Sequence, residues 1–177
     1  AGREFVIKSS QDLCEGRAHY SAPPGKVSHG LCRKQPATIR ITMPIPLLAC
    51  MVASAIRYDI PPRVLPVIQK VEGGAAGMVR RNTDGSSDLG LMQINTRWVQ
   101  PLAQVTHMPA VQTAARLVSD SCFNVAASAL ILRTYINEAH GDLMQAIGYY
   151  HSHTPSLNAA YRQKVLSTAV SMFPARQ

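Results

Sequence analysis

The strongest constraint on the fold is a series of short amphipathic segments that begins at Pro46 and continues to the end of the chain. Within each segment, apolar residues recur at intervals of three and four, which is the period of one face of an α-helix. Prolines, glycines and polar residues separate the segments. Because a helix with one apolar face must bury it against other elements, the pattern predicts a compact, mainly α-helical domain.

The segment boundaries predict seven helices. They start at about residues 46, 64, 95, 110, 124, 142 and 156, and the last one ends near residue 172. The second helix is followed by a polar, glycine-rich stretch over residues 73–89, whose Asp84-Gly85 pair is a strong signal for a β-hairpin turn. We therefore expect a mainly α (α+β) fold with one small hairpin-bearing loop.

Residues 1–45 differ from the rest of the chain because they are rich in proline and glycine and show no sustained helical period. The alternating stretch 37–42 is the one candidate strand. We predict two parts: an irregular or small-β extension over 1–45 and the helical domain over 46–177.

The chain opens with Ala1 and shows no signal peptide, which fits a processed secreted protein or a shortened one. No apolar run reaches the roughly 18 residues that a membrane span needs.

The net charge of +8 and the pI of about 9.7 raise the question of an anionic partner. The basic residues are scattered and the aromatic residues are few, so the composition argues against nucleic acid as the partner. The positive charge has two explanations: it keeps the surface soluble, or it attracts the protein to an anionic polymer such as cell wall.

Four cysteines allow three disulfide pairings. The simplest pairs Cys14 with Cys32 and Cys50 with Cys122, and implies an oxidising compartment. Four free thiols are the alternative. Since the chain has no C-x-x-C pair, a zinc site is not expected.

A glutamate, Glu72, ends the apolar stripe of the second helix and is followed by two glycines. It lies four residues after Ile68 and seven after Leu65, so it shares their buried face. Burial and the negative end of the helix dipole both oppose ionisation of a carboxylate. The position therefore suits a general acid. A surface glutamate that merely closes the helix is the alternative.

Five segments occur in order along the chain: the glutamate with its glycines, GLMQIN at residues 90–95, and three stretches within 50–72, 119–136 and 146–166. Taken together, they resemble the lysozyme-like domain of family 1 lytic transglycosylases, above all the small members that accompany type III and type IV secretion and pilus systems. The resemblance covers about residues 47–172. It implies a lysozyme-like fold, peptidoglycan glycan strands as substrate, no metal or cofactor, and a periplasmic or secreted location in the cell envelope.

The resemblance also implies roles for individual residues. Glu72 would be the sole catalytic acid and base, Gln93 would contact substrate from the cleft floor, and Tyr150 would hydrogen-bond or orient the glutamate. Met92 would pack beneath the sugar, and Cys50 and Cys122 match the cysteine pair of the family. The implied substrate-binding residues are Gly90, Met92, Gln93, Asn95, Tyr150 and His151.

Three positions depart from the pattern of the family. Gly73 replaces a common serine, His151 replaces a common asparagine, and His153 replaces a common glycine. Two histidines without a third partner make a poor metal site, so we expect His151 to line the cleft and His153 to lie at the surface.

The expected reaction depends on whether a second carboxylate assists Glu72, because ordinary glycosidases use two. Asp84 is explained by its turn, whereas Asp88 remains a candidate. Goose-type lysozymes commonly place an aspartate where this chain has Asn95. The favoured reading is therefore a lyase that forms 1,6-anhydro-muramyl ends, assisting an envelope-spanning secretion or conjugation system. A goose-type hydrolase and a non-catalytic peptidoglycan-binding scaffold are the alternatives.

Overall fold

The computed structural model describes residues 45–174. The candidate strand at 37–42, the proposed Cys14–Cys32 disulfide and nearly all of the predicted 1–45 extension lie outside the described residues. The division of the chain at residue 45 stays a prediction.

The described part of the chain forms seven α-helices, three short strands and one 3-10 turn. The helices are α1 (Ile45–Arg57), α2 (Val64–Glu72), α3 (Val99–Thr106), α4 (Ala110–Ser119), α5 (Ser121–Glu138), α6 (Leu143–His151) and α7 (Pro155–Met172). The strands are β1 (Val79–Arg81), β2 (Ser87–Leu89) and β3 (Ile94–Asn95), and the 3-10 turn covers Thr96–Trp98. The mainly α, lysozyme-like prediction is confirmed.

Local chemistry explains where several helices begin. The side chain of Asp120 accepts a hydrogen bond from the backbone N–H of Phe123 at 2.9 Å, and Asp142 does the same for Gln145 at 2.9 Å. These aspartates cap otherwise unpaired amides at the starts of α5 and α6. Pro155 starts α7, where a missing N–H has no cost.

The three strands form one antiparallel sheet in the order β1-β2-β3, with Val79 opposite Leu89 and Asp88 opposite Asn95. The predicted hairpin is present. In its turn Asp84 accepts a hydrogen bond from the backbone N–H of Ser86 at 2.9 Å, as expected for an aspartate in a tight turn.

Helix α5 lies at the centre of the described domain, since it packs against α1, α4 and α6, while α7 packs against α2 and α6. Apolar side chains from all these helices are fully buried around it, including Met51, Leu65, Leu117, Val125 and Leu132. Among the described helices no single one is long and apolar enough to cross a membrane. Helices α4 and α5 are long and apolar enough only when they are taken together, and the chain bends by 109° between them.

A disulfide joins Cys50 of α1 to Cys122 of α5, across a sequence separation of 72 residues and a Cα–Cα distance of 5.5 Å. This is the long-range pairing expected from the sequence. It ties the first described helix to the central one.

We predict that the Cys50→Ser/Cys122→Ser variant loses about 4 kcal/mol of unfolding free energy, because the unfolded chain regains the entropy of a long closed loop. Urea unfolding of wild type and variant, each with and without reductant, measures the difference. Because the variant retains Cys14 and Cys32, any change in its stability on adding reductant reports on these two cysteines. A variant as stable as the oxidised wild type would contradict the prediction.

Candidate active site

An open cleft of about 780 Å³ crosses the described domain. Its walls come from the end of α2, the hairpin, the β3 and 3-10 segment, α5, α6 and the start of α7. Acidic, amide and aromatic side chains share this lining.

Glu72 is the last residue of α2 and lines the cleft. The same helix face buries Leu65 and Ile68 completely, as the sequence pattern predicts. Gly73 ends the helix in the left-handed conformation, with φ of +63°, and its N–H bonds to the carbonyl of Gln69. The carboxyl group therefore emerges half-buried at the point where a rigid helix meets the cleft.

The carboxyl group of Glu72 is held by Tyr161 of α7, whose hydroxyl donates to Oε1 at 2.5 Å. Burial is the main cause that raises the pKa of Glu72, and the negative charge of Asp88 raises it further. The hydrogen bond from Tyr161 and the charge of Lys164 act in the opposite direction. Burial also raises the pKa of Tyr161 well above its ordinary value, so this phenol remains a donor at neutral pH.

Tyr150 does not make the hydrogen bond to the glutamate that the family resemblance implies. Its hydroxyl donates instead to the backbone carbonyl of Met92 at 3.0 Å. The physical reason is the packing of the last two helices: α7 lies against α2, which carries Glu72, whereas α6 lies against α5. Tyr150 thus fixes the 90–95 segment. Tyr161 fixes the glutamate, although the sequence indicated it only as a residue of the final helix.

The buried side chain of Asn124, near the start of α5, anchors the 90–95 segment. Its Oδ1 accepts from the N–H of Met92 at 2.8 Å, and its Nδ2 donates to the carbonyls of Leu89 at 2.9 Å and Leu117 at 2.7 Å. One amide therefore satisfies three backbone groups, which would otherwise be buried without partners. The only signal for this role in the sequence was the resemblance of the 119–136 stretch to the family.

Two glycines allow this segment to lie beside the glutamate. A Cβ atom on Gly74 would lie 2.3 Å from the carbonyl oxygen of Gly90. A Cβ atom on Gly90 would lie 2.1 Å from the carbonyl oxygen of Leu117, and φ of Gly90 is +68°. Gly90 is buried and does not line the cleft, and its close approaches give it a role in backbone packing. Its role in binding substrate stays a prediction.

Met92 also departs from its expected role. Its side chain is completely buried in the core and does not reach the cleft surface. Since φ of the next residue, Gln93, is +50°, the chain turns sharply here, which leaves Met92 in the core and brings Gln93 to the cleft. The methionine contributes the backbone carbonyl that receives Tyr150, rather than a surface beneath a sugar.

Gln93 lines the cleft but is only 6% exposed. Its Nε2 donates to the carbonyl of Gly90 at 2.7 Å. Its Oε1 is buried, and no donor among the described residues pairs with it. Among the described residues it is the one buried side-chain nitrogen or oxygen without a hydrogen-bond partner.

Asn95 lines the cleft, but its hydrogen bonds are internal. Its Oδ1 accepts from the backbone N–H of Arg97 at 3.1 Å and so caps the 3-10 turn. Its Nδ2 donates to Asp88 Oδ1 at 2.9 Å and to Ser86 Oγ at 2.9 Å. Asn95 thus holds the carboxylate of Asp88, the neighbour whose charge acts on Glu72.

The two histidines lie in different parts of the cleft wall. His151 stacks on Tyr161, with ring centroids 4.7 Å apart and planes within 5°. His153 stacks on Tyr149 at 4.3 Å, and its Nε2 lies 2.8 Å from Glu138 Oε1. Both are exposed and both line the cleft, so His153 belongs to the cleft wall as well as to the surface.

His153 and Tyr149 belong to a larger aromatic group. Tyr135 contacts both rings, and Trp98 meets Tyr135 edge to face with centroids 5.8 Å apart. All four residues line the cleft. No pattern in the sequence indicates this aromatic wall, because its members come from the 3-10 turn, α5 and α6, and from the loop after α6.

These features together define a class of protein: a helical, lysozyme-like domain with a half-buried glutamate at the end of a helix in an open cleft. A model of the transglycosylase SLT domain family matches residues 49–167, and the chain belongs to this family.

The chain is also similar to proteins called invasion protein IagB. It is 28% identical over 116 residues to those of Salmonella typhimurium strains SL1344 and LT2 and of Salmonella typhi. The alignment covers 65% of this chain and 69% of each relative.

We predict that Gly90→Ala lowers the unfolding free energy by roughly 2–5 kcal/mol, from left-handed strain together with overpacking against Leu117 and Asn124. The matched control is Gly85→Ala, where φ is +83° and a Cβ atom meets nothing within 4 Å. The control should lose only the roughly 1–2 kcal/mol of left-handed strain. Urea unfolding of both variants makes the comparison, and equal losses would contradict the packing role of Gly90.

Proposed function

We propose that this protein is a peptidoglycan lytic transglycosylase, which cleaves the MurNAc–GlcNAc β-1,4 bond and leaves 1,6-anhydro-MurNAc ends. The observation that carries the proposal is the carboxyl group of Glu72, which lines the cleft, is held by Tyr161 and has a pKa raised by burial. Membership of the transglycosylase SLT domain family supports peptidoglycan as the substrate.

In the first step Glu72 acts as general acid. A carboxyl group with a raised pKa retains its proton nearer to neutral pH, where it can protonate the oxygen of the leaving sugar. The C1–O4 bond then breaks and positive charge develops at C1 of the MurNAc residue. The hydrogen bond from Tyr161 to Oε1 keeps the group in one orientation and stabilises the carboxylate that remains.

In the second step the substrate supplies the groups that a second carboxylate would supply in an ordinary glycosidase. The oxygen of the 2-acetamido group stabilises C1. The carboxylate of Glu72 then removes the proton of the C6 hydroxyl, O6 bonds to C1, and the internal ring closes. The proton returns to Glu72 and no water is consumed, so the enzyme is ready for another turn.

The environment of the other carboxylates in the cleft supports a lyase over a hydrolase. Asp84 is exposed and already accepts bonds from Ser86 in its turn. The carboxylate of Asp88 accepts a hydrogen bond from the side-chain amide of Asn95, and this amide cannot accept a proton from water. A goose-type hydrolase therefore requires Asp88 to act as base despite this hydrogen bond.

Gln93 is the proposed substrate-orienting residue. The unpaired Oε1 in the cleft lining is an acceptor for an N–H or hydroxyl group of the glycan. A bound donor there would remove the free-energy cost of a buried acceptor without a partner. His151, Tyr150 and Asn95 line the same cleft, although the hydrogen bonds of Tyr150 and Asn95 serve first to hold the site together.

We further propose that the enzyme acts in the cell envelope, in the periplasm or outside the cell, where it opens the wall locally for a secretion, pilus or conjugation apparatus. The similarity to proteins named for invasion supports a role of this kind. The net charge of +8 favours contact with an anionic wall polymer, and the Cys50–Cys122 disulfide suits an oxidising compartment.

We predict that Glu72→Gln lowers the rate of peptidoglycan solubilisation by at least about 100-fold, since the amide has no proton to transfer. Turbidity of purified sacculi measures the rate. The control Glu138→Gln alters an exposed glutamate paired with His153 and should stay within about fivefold of wild type. Wild-type clearing by a folded Glu72→Gln protein would remove Glu72 from the mechanism, and an inert wild type that still binds sacculi would favour the scaffold alternative.

The Glu72→Gln protein should also fold at least as stably as wild type at pH 7. Burial raises the folded-state pKa of Glu72 above its unfolded value. The stabilising contribution of this group is therefore complete below the unfolded pKa and is lost as pH rises through the folded pKa. The stability of the variant relative to wild type should be greater at pH 7 than at pH 4, and thermal unfolding at both pH values measures it.

We predict that mass spectrometry of wild-type digests finds muropeptides lighter by one water than hydrolytic products and without a reducible end. Asp88→Asn should give the same products, because Asp88 takes no proton in the lyase mechanism. Reducing muramyl ends as the main wild-type product, lost in Asp88→Asn, would make the protein a hydrolase with Asp88 as its base.

A further inference from the structure

A chain of three contacting side chains runs from the open cleft to the catalytic carboxyl group. His151, the last residue of α6, lies parallel to the ring of Tyr161 with centroids 4.7 Å apart. Tyr161 is only 6% exposed, and its hydroxyl donates to Glu72. The exposed imidazole therefore lies on one face of the phenol that orients the acid.

The direction in which the Tyr161 hydroxyl donates depends on the plane of its ring, because the O–H bond of a phenol prefers to lie in that plane. The parallel imidazole of His151 packs against the ring and restricts its tilt. Stacked rings are worth more than their buried area alone, so the contact has enough energy to influence the phenol. Asparagine, which the family resemblance leads one to expect at this position, offers no ring.

We propose that His151 is a positioning residue which, through its stack on Tyr161, holds the acid Glu72 in its reactive orientation and inhibits the reaction when the imidazole is protonated. The proposal rests on the proposed function, in which Glu72 is the acid. It assigns His151 a role beyond lining the cleft for substrate.

The inhibition follows from charge. The proposed transition state carries positive charge at C1 of the sugar, and an imidazolium lining the same cleft opposes that charge. The imidazolium would also favour the ionised form of Glu72 and so lower the pKa of the acid. Both effects act at low pH and reduce the rate as pH falls.

Charged groups on several elements act around this histidine. Burial and the positive charge of Lys164 on α7 lower the pKa of His151, while Asp88 on β2 raises it. Beyond the stack, Glu72 on α2 acts on the phenols of Tyr161 and of Tyr150 on α6, and Arg80 on β1 acts on Glu72. The net lowering keeps the imidazole neutral at neutral pH and places its protonation on the acid side of its ordinary range.

Two substitutions separate the stack from the charge. His151→Phe keeps an aromatic ring and cannot titrate, whereas His151→Asn removes both properties. At pH 7 we expect His151→Asn to lower kcat about tenfold with KM unchanged, and His151→Phe to restore the wild-type rate. Below the pKa of His151, the phenylalanine variant should be faster than wild type. Its pH profile of kcat/KM should lack the fall at low pH that protonation of His151 causes in wild type.

A measurement without turnover tests the same contact. Carbon NMR of the Glu72 carboxyl group should show two titration steps in wild type, its own and a smaller one at the pKa of His151. The smaller step should be absent in both variants. Thermal unfolding confirms that the variants are folded.

Three results would overturn the inference: equal loss of rate in both variants, a rise in KM alone, or an acid limb that persists in His151→Phe. The proposed function fails separately, through an active Glu72→Gln protein, and the NMR titration still reports on the contact in that case.

Discussion

The site depends on the side chain of Asn124, which is completely buried and bonded to the backbone at residues 89, 92 and 117. These three bonds join the end of β2, the 90–95 segment and the end of α4 to the central helix α5. Cys122, two residues earlier, joins the same helix to α1 through the disulfide. Because a buried amide is strongly stabilising only when all its partners are present, the floor of the cleft forms as one unit.

Around this floor, two opposing influences act on one carboxyl group. Burial at the end of α2 favours the neutral acid, while the hydrogen bond from Tyr161 favours the carboxylate. In the proposed mechanism Glu72 gives a proton and later takes one back, and such a group needs both forms to be accessible. Tyr161 retains its proton because burial and Glu72 raise its pKa, so it remains a hydrogen-bond donor at neutral pH.

The sequence predicted what depends on local periodicity and missed what depends on how helices meet. All seven helices and the hairpin could be read from apolar spacing and turn residues, and the third helix differs only in beginning as a 3-10 turn at Thr96. The position of Glu72 on an apolar stripe is a local property that the spacing shows, whereas its assignment as the acid came from the family resemblance. Tyr161, and not Tyr150, bonds to Glu72, because this contact depends on whether α6 or α7 lies against α2, which no spacing along the chain reveals. The burial of Met92 follows from the turn at Gln93.

The bond between Glu72 and Tyr161 joins residues 89 positions apart. A ribosome adds roughly 5–20 residues per second, so the glutamate exists for about 4–18 seconds before its tyrosine is synthesised. During that time the carboxyl group has neither its hydrogen-bond donor nor the helix that buries it. The last described helix therefore completes the surroundings of Glu72, and a nascent or truncated chain that contains the whole GLMQIN segment still lacks the contact that holds this carboxyl group in place.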